Sequence, residues 1–408
     1  KYILIILCCL TSFPLWSYNV NMIVEHYSVD QGLPNNTVNC TLKDRDGFIW
    51  FGTWYGLCCF DGVKFKTFNK QEHDSDVPPR KIQRIVEDKN GYIWVKTIDR
   101  KLYVFNKVTE CFHAVYDDMK NYSENIQVIK LQNTAEGDVL LLTKDKNLLL
   151  AGVDEKGQVT IKILFDSRNE INKHDYTLKH HVLCETEEYI SWIGTDYKVA
   201  AVHKGSELAS RPADFITSKI NSGDKDSFTS FFEDGRKVWV GDRAGIFYSI
   251  DVRTGLVNRY VLSEIKGAIS NLLVTPAGYV YLSVAGQGTY EYDLAERRLQ
   301  KINTEMNDAM VTHAFIDQYD KIWFHENEKA LIYYDPLNHT AKRFPFTMFG
   351  KITTLYSEDA GERGLFFLSP AGEAWLFDRE HAEMVYINKL KQLSNCLLYT
   401  SDAADEAR

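Results

Sequence analysis

The chain has 408 residues, of which 45% are hydrophobic and 25% charged, and its formal net charge is −9. That balance belongs to a folded globular protein and not to a disordered or collagen-like one, and the acidic excess argues against a nucleic-acid backbone as the main partner. Aromatic residues reach 13%, as expected where β-strands pack.

In chain order, Lys1-Tyr2 precede the apolar run Ile3 to Leu10, followed by Thr11-Ser12-Phe13-Pro14-Leu15-Trp16-Ser17. A short charged start and an apolar core are the features of a secretory signal peptide, and the run is too short to span a bilayer comfortably. Residues 1–17 are therefore expected to be a signal peptide, incomplete at its start because no initiator Met precedes it, with cleavage near Ser17. Cys8 and Cys9 offer a lipoprotein alternative.

A block of sequence then recurs roughly every 42–52 residues, and a fixed period of this size marks a solenoid, propeller or array. The first copy reads Asp44-Arg45-Asp46-Gly47-Phe48-Ile49-Trp50-Phe51-Gly52-Thr53, continues through Trp54-Tyr55-Gly56-Leu57 and ends in Phe60-Asp61-Gly62. The second reads Asp88-Lys89-Asn90-Gly91-Tyr92-Ile93-Trp94-Val95-Lys96-Thr97 and ends in Leu102-Tyr103-Val104-Phe105. An aromatic at the centre of each unit sets the register at Trp50, Trp94, Trp192, Trp239, Tyr281 and Trp323, with Leu140 and Phe366 in the same place in weaker copies. The count is eight units, the third and eighth degenerate.

Each unit predicts four short strands. In the first they are Val38 to Leu42, Phe48 to Thr53, Leu57 to Phe60 and Phe65 to Phe68. Asp46-Gly47, Asn90-Gly91, Glu136-Gly137 and Ala277-Gly278 make the first turn, where glycine accepts positive φ. Evenly spaced short strands are the signature of an all-β fold, a β-propeller of four-stranded blades. One such sheet has two apolar faces and cannot bury both alone. The repeated tryptophans are expected to pack between blades, and the Asp-Gly pairs to be turn chemistry and not metal sites.

The eight cysteines are 8, 9, 40, 58, 59, 111, 184 and 396. They show no metal-like spacing and are expected to be mostly buried small hydrophobes, Cys58 and Cys59 pointing to opposite faces of a strand. Propeller grammar ends near Tyr386-Ile387, and residues 389–408, with Cys396-Leu397-Leu398-Tyr399-Thr400-Ser401-Asp402-Ala403-Ala404-Asp405-Glu406, read as a non-native tail like translated sequencing adapter.

Catalytic patterns are sparse. No glycine-rich phosphate cradle and no nucleophile elbow occurs. His174, His180 and His181 lack a carboxylate spacing that would make a metal triad, and the repeat lacks the Ser and Thr of a sialidase Asp box. Carboxylates are numerous enough that a glycosidase pair stays open. No catalytic residue, cofactor or metal is assigned.

The segment Tyr27-Ser28-Val29-Asp30-Gln31-Gly32-Leu33-Pro34-Asn35-Asn36-Thr37-Val38, followed by Lys43 to Thr53 and Gly56-Leu57, resembles the opening of the two-component-regulator propeller family. The resemblance runs from residue 24 to about 387 and is sharpest in the first two units. It implies the periplasmic sensor half of a Bacteroidetes-type hybrid two-component system, cut before its histidine kinase. It also implies two seven-bladed propellers, a β-sandwich, one membrane helix, a receiver and a DNA-binding region in the whole protein. On that reading residues 18–345 are the first seven-bladed propeller and 346–388 the first blade of a second. A single eight-bladed propeller is the competing count. The expected ligand is an oligosaccharide from polysaccharide breakdown, with signalling through differential affinity for two arrangements of a homodimer. This region itself is expected to be no enzyme, to contact no nucleic acid, and to meet the membrane only through a downstream helix. The alternatives are a secreted propeller glycosidase or lyase and a protein-binding scaffold.

Strands that alternate direction place the turns between second and third strands on one face with the crossings between blades. Candidate ligand residues there are Trp54, Tyr55, Asp99, Arg100, Tyr197, Arg243 and Gln287, with Asp196, Asp242, Glu326 and Asn327 beside them. Sugar recognition wants aromatic faces and planar polar groups. The crossings Asn69 to Lys81 and His203 to Asp226 are long, and either is expected to form a lip or meet another domain.

Overall fold

The structure, a computed structural model, describes residues 27–68, 70–71, 78–119, 127–167, 178–194, 199–205, 213–214, 228–302, 311–326, 329–349, 356–359, 364–369 and 372–389. Residues 1–17, expected to be a signal peptide, residues 390–408 of the expected tail and most of the two long crossings lie outside them. The described residues form eight sheets, each of consecutive strands in chain order, which is the β-propeller expected. Blade 1 consists of Val38–Lys43, Ile49–Thr53, Gly56–Phe60 and Phe65–Phe68. Blade 2 consists of Ile82–Glu87, Ile93–Thr97, Leu102–Asn106 and Cys111–Ala114. Blades 3 to 8 begin at Val128, Leu178, Phe228, Ile269, Val311 and Tyr356. Lys70–Gln71, on the first crossing, adds a parallel fifth strand to the outer edge of blade 2.

Each pair of consecutive blades shares an apolar cluster. Trp50 and Leu57 meet Ile93 and Phe105 between blades 1 and 2. Trp94 meets Leu141 and Leu149 between blades 2 and 3, and Trp323 meets Phe367 and Phe377 between blades 7 and 8. The central rings are 0–3% exposed at Trp50, Trp94, Trp239, Tyr281 and Trp323. Each such ring takes roughly 150–250 Å² out of water, on the order of several kcal/mol per blade. Leu140 is also 1% exposed in the third blade, so that slot needs apolar volume more than a ring. The third unit, degenerate in sequence, is a complete four-stranded sheet.

Trp192 departs from the expected register. In five blades the residue opening the first turn donates nothing to spare: its N–H closes on the carbonyl four residues on (Asp44 to Phe48, Asp88 to Tyr92, Thr134 to Asp138, Thr275 to Tyr279, Asp317 to Lys321). In blades 4 and 5 the turn closes one residue sooner, Thr186 on Tyr189 and Asp234 on Lys237. Blade 5 shortens the distance to its tryptophan as well; blade 4 does not. Ser191 therefore takes the central slot, and Trp192 turns to the other face, against Phe165 of blade 3 at 5.0 Å between ring centroids.

Seven of the eight inner strands carry a register shift near their start, as between Val38 and Cys40 or Phe228 and Ser230. In three of these strands the shifted residue reaches the following blade. Asn39 Nδ2 donates to Ile82 O at 2.7 Å, Thr229 Oγ1 to Ile269 O at 2.7 Å and Ser270 Oγ to Val311 O at 3.2 Å. Gly52 fits beneath the first of these shifts because a Cβ there would stand 2.6 Å from Ile82 Cγ2.

Candidate functional site

The two faces of the propeller are held by different chemistry. On the face opposite the candidates, the aspartate that opens the first turn also accepts the indole N–H of its blade. Trp50 donates to Asp44 at 2.8 Å, Trp94 to Asp88 at 2.9 Å and Trp239 to Asp234 at 2.7 Å. Lysines just past the third strand then bridge neighbouring blades. Lys107 Nζ lies 2.8 Å from Asp44, 3.2 Å from Asp46 and 2.6 Å from Glu87. Burial disfavours its charge, yet bonds to Asp44 and Glu87 hold its pKa above the usual lysine value. Asp44, Asp46 and Glu87 are the one group among the described residues that converges as metal ligands would. The cation they hold is this ammonium. Lys204 repeats the arrangement with Glu136 at 2.9 Å and Glu185 at 2.6 Å.

On the candidate face, backbone hydrogen bonds stitch each second-to-third-strand turn to the crossings beside it. Trp54 N donates to Thr37 O at 3.2 Å, Lys81 N to Trp54 O at 2.9 Å and Ile98 N to Lys81 O at 2.9 Å. Val128 N donates to Arg100 O at 2.9 Å and Lys144 N to Gln127 O at 2.8 Å. The turns of blades 1, 2 and 3 thus form one bonded arc. Trp54 is 38% and Tyr55 60% exposed on it. The Lys81 ammonium stands 5.1 Å from the Trp54 ring centroid, a cation–π distance. Asp99 accepts the Thr97 hydroxyl and Arg100 is exposed at a left-handed φ of 66°.

The remaining candidates divide. Arg243 is exposed on the blade 5 turn. Its neighbour Asp242 is 2% exposed and accepts Ala244 N and Ile246 N at 2.9 and 2.8 Å, so it builds the turn; burial pushes its pKa up. Gln287 on blade 6 accepts Lys266 N at 2.7 Å and donates to Glu264 O at 3.1 Å, which ties its turn to the preceding crossing. Glu326 is held by Arg343 at 3.0 Å. Tyr197, Asp196 and Asn327 lie outside the described residues, as does His174, and nothing is described of the His180 and His181 side chains. The structure brings Trp54, Tyr55, Asp99 and Arg100 onto one arc. It adds Arg80, Lys81 and Lys144, which stand outside the residues expected from the sequence. Cys40, Cys58, Cys59 and Cys111 are free thiols, three buried and Cys59 partly so, and burial raises Cys40 and Cys58 to about 12.

Residues 32–55 match the family described as two component regulator propeller. No curated protein matches the chain. Among solved structures it is similar to a protein described as the extracellular domain of a hybrid two component system from B. thetaiotaomicron, at 16% identity and a TM-score of 0.36, over 91% of this chain and 49% of that one. A second such B. thetaiotaomicron domain matches at 14% identity and a TM-score of 0.30, over 90% of this chain and 62% of that one. The Dos1 propeller matches at 13% identity and a TM-score of 0.50, over 81% of this chain and 89% of that one, a likeness of fold alone. The chain spans about half to three fifths of the B. thetaiotaomicron domains. Among the described residues no helix is long and apolar enough to cross a membrane.

Proposed function

Starting from a two component regulator propeller, we propose that this chain is the ligand-sensing region of a hybrid two-component signalling protein, displayed in the periplasm. The proposed ligand is an oligosaccharide from polysaccharide breakdown, bound on the face of the second-to-third-strand turns. The observation that supports this is the pair Trp54 and Tyr55, 38% and 60% exposed on a turn fixed by backbone hydrogen bonds on both sides. Aromatic faces cover the apolar faces of sugar rings, while Asp99, Arg100, Arg243 and, on residues beyond those described, Tyr197 supply planar or polar groups for hydroxyls. A frame already bonded loses little freedom when a ligand lands on it. Gln287 serves that frame more than the ligand. The same reading takes residues 18–345 as a first propeller, 346–388 as the start of a second, and the kinase, membrane helix and homodimer contacts as parts of a longer protein.

The test is calorimetric titration of the 408-residue chain with a panel of oligosaccharides, followed by chromatography of the mixture. Binding with the sugar recovered intact, weakened by Trp54→Ala, supports sensing. Shortened sugar would make the chain an enzyme instead. Binding that Trp54→Ala leaves unchanged would move the site off this face.

A further inference from the structure

Charge on the arc runs against the charge of the whole. The chain carries a formal −9, yet the described turns and crossings of blades 1 to 3 on this face expose Arg80, Lys81, Arg100, Lys101 and Lys144. Two acids share these turns with the five cations, Asp99 exposed and Asp145 partly buried, and each is engaged by its own turn. Asp99 takes the Thr97 hydroxyl and stands 3.5 Å from Lys101, while Asp145 takes the Thr143 hydroxyl and faces Asn147 Nδ2 at 3.5 Å. Lys81 and Arg100 both hold left-handed backbone, φ 51° and 66°. Their carbonyls accept Ile98 N and Val128 N, so both cations are fixed at their roots on adjoining turns, Lys81 with its ammonium 5.1 Å from the Trp54 ring centroid.

We propose that the ligand of this arc is an acidic saccharide, one bearing carboxylate or sulfate groups, with its ring on Trp54 and its anionic group between Lys81 and Arg100. This rests on the sensing reading above and adds the chemical class. A guanidinium presents a planar fork that matches carboxylate and sulfate oxygens in pairs, and the lysine supplies a compact second charge. Among the described residues, the blade 5 turn sets exposed Arg243 beside buried Asp242, and the blade 7 turn carries Glu326 bonded to Arg343.

The experiment titrates the 408-residue chain with two size-matched pairs, galactotetraose against tetragalacturonic acid and a desulfated, carboxyl-reduced chondroitin tetrasaccharide against the sulfated one, at low and high salt. Charge recognition predicts tighter binding of one acidic member by roughly ten-fold or more, shrinking as salt screens it. Lys81→Asn and Arg100→Asn keep residues that tolerate left-handed backbone; Lys81→Asn should reduce the acidic preference while neutral binding holds, and Arg100→Asn, at a residue that also meets hydroxyls, should weaken both members of a pair and the acidic one more. Trp54→Ala should weaken both members of a pair. Neutral and acidic sugars bound alike, with Lys81→Asn and Arg100→Asn leaving that equality unchanged, would overturn the acidic class and leave the sensing reading standing; the charge would then be satisfied within the protein. No saccharide bound at any salt would overturn both.

Discussion

The junction of blades 1 and 2 and the junction of blades 4 and 5 both place a glutamate at the end of an inner strand and differ in the charges around it. In each, a glutamate ends the inner strand and accepts a backbone N–H from the blade before: Glu87 from Arg45 at 2.9 Å, Glu233 from Glu185. At the first junction Lys107, the residue just past the third strand, closes over Glu87 and Asp44. At the second that place is Val252, 1% exposed. Lys204 is nearby but is engaged with Glu136 and Glu185. Burial, with Glu185 and Asp234 adding repulsion, pushes Glu233 up to about 7. Lys107 and Arg45 thus stand 2.6 and 3.2 Å from Glu87, whereas the place of Lys107 beside Glu233 is apolar.

The comparison breaks most readily at its cationic end. Lys107→Met takes the ammonium from Asp44 and Glu87, whose side chains are 0% and 9% exposed, while Arg45 stays on Glu87 at 3.2 Å and the Trp50 indole on Asp44 at 2.8 Å, and should cost about 2–3 kcal/mol in urea unfolding. A loss under about 1 kcal/mol would mean that water screens the seam.

The acid end is next. Glu233 has a folded pKa of about 7 against an ordinary glutamate value near ~4.3 in the unfolded chain. Between those values the folded state holds more protons, so this group's contribution to stability falls as pH rises from acid through neutrality. Glu233→Gln should remove that decline and gain on the order of 2 kcal/mol at pH 8 relative to the parent, with little difference at pH 4. Equal differences at both pH values would show that Glu233 titrates normally. Val252→Lys should recover part of the same gain if its ammonium reaches the carboxylate.

A smaller effect tests the aspartate–indole bond that both kinds of seam share. Trp94→Phe keeps most of the ring volume but leaves Asp88 Oδ2 without its 2.9 Å donor, and should cost about 1–3 kcal/mol. The smallest effect is at Tyr55, 60% exposed. Tyr55→Ala should leave the midpoint of unfolding within about 0.5 kcal/mol of the parent while lowering saccharide affinity on the proposed arc.

Much of this architecture was legible in the sequence because it is written at short range. Period-two strands, glycines in turns such as Gly47 and Gly91 at φ 89° and 87°, and the central aromatics all act within one unit. The aspartate partners of Trp50, Trp94 and Trp323 are legible too, six residues before each indole, although their place at the first turn reads as turn chemistry alone. Trp192 misled because the repeat motif around it is intact while the turn before it is one residue tighter. The lysine seams were not legible: Lys107 sits 63 residues from Asp44, and nothing local distinguishes it from a solvated lysine. The candidate arc was half visible. Trp54, Tyr55 and Arg100 stand in the turns, whereas Lys81 joins them only through bonds between blades.

The polar links at the start of the inner strands all point one way. Asn39, Thr229 and Ser270 each reach forward to a carbonyl of the following blade. A polypeptide emerging from the ribosome therefore offers each new sheet with a donor already waiting for a carbonyl not yet made. Each inner strand arrives to find that donor in place, so consolidation proceeds from the first blade toward the last, in the order of synthesis. Circularly permuting the chain within a blade would reverse that order at one seam and slow refolding there while leaving every native contact in place.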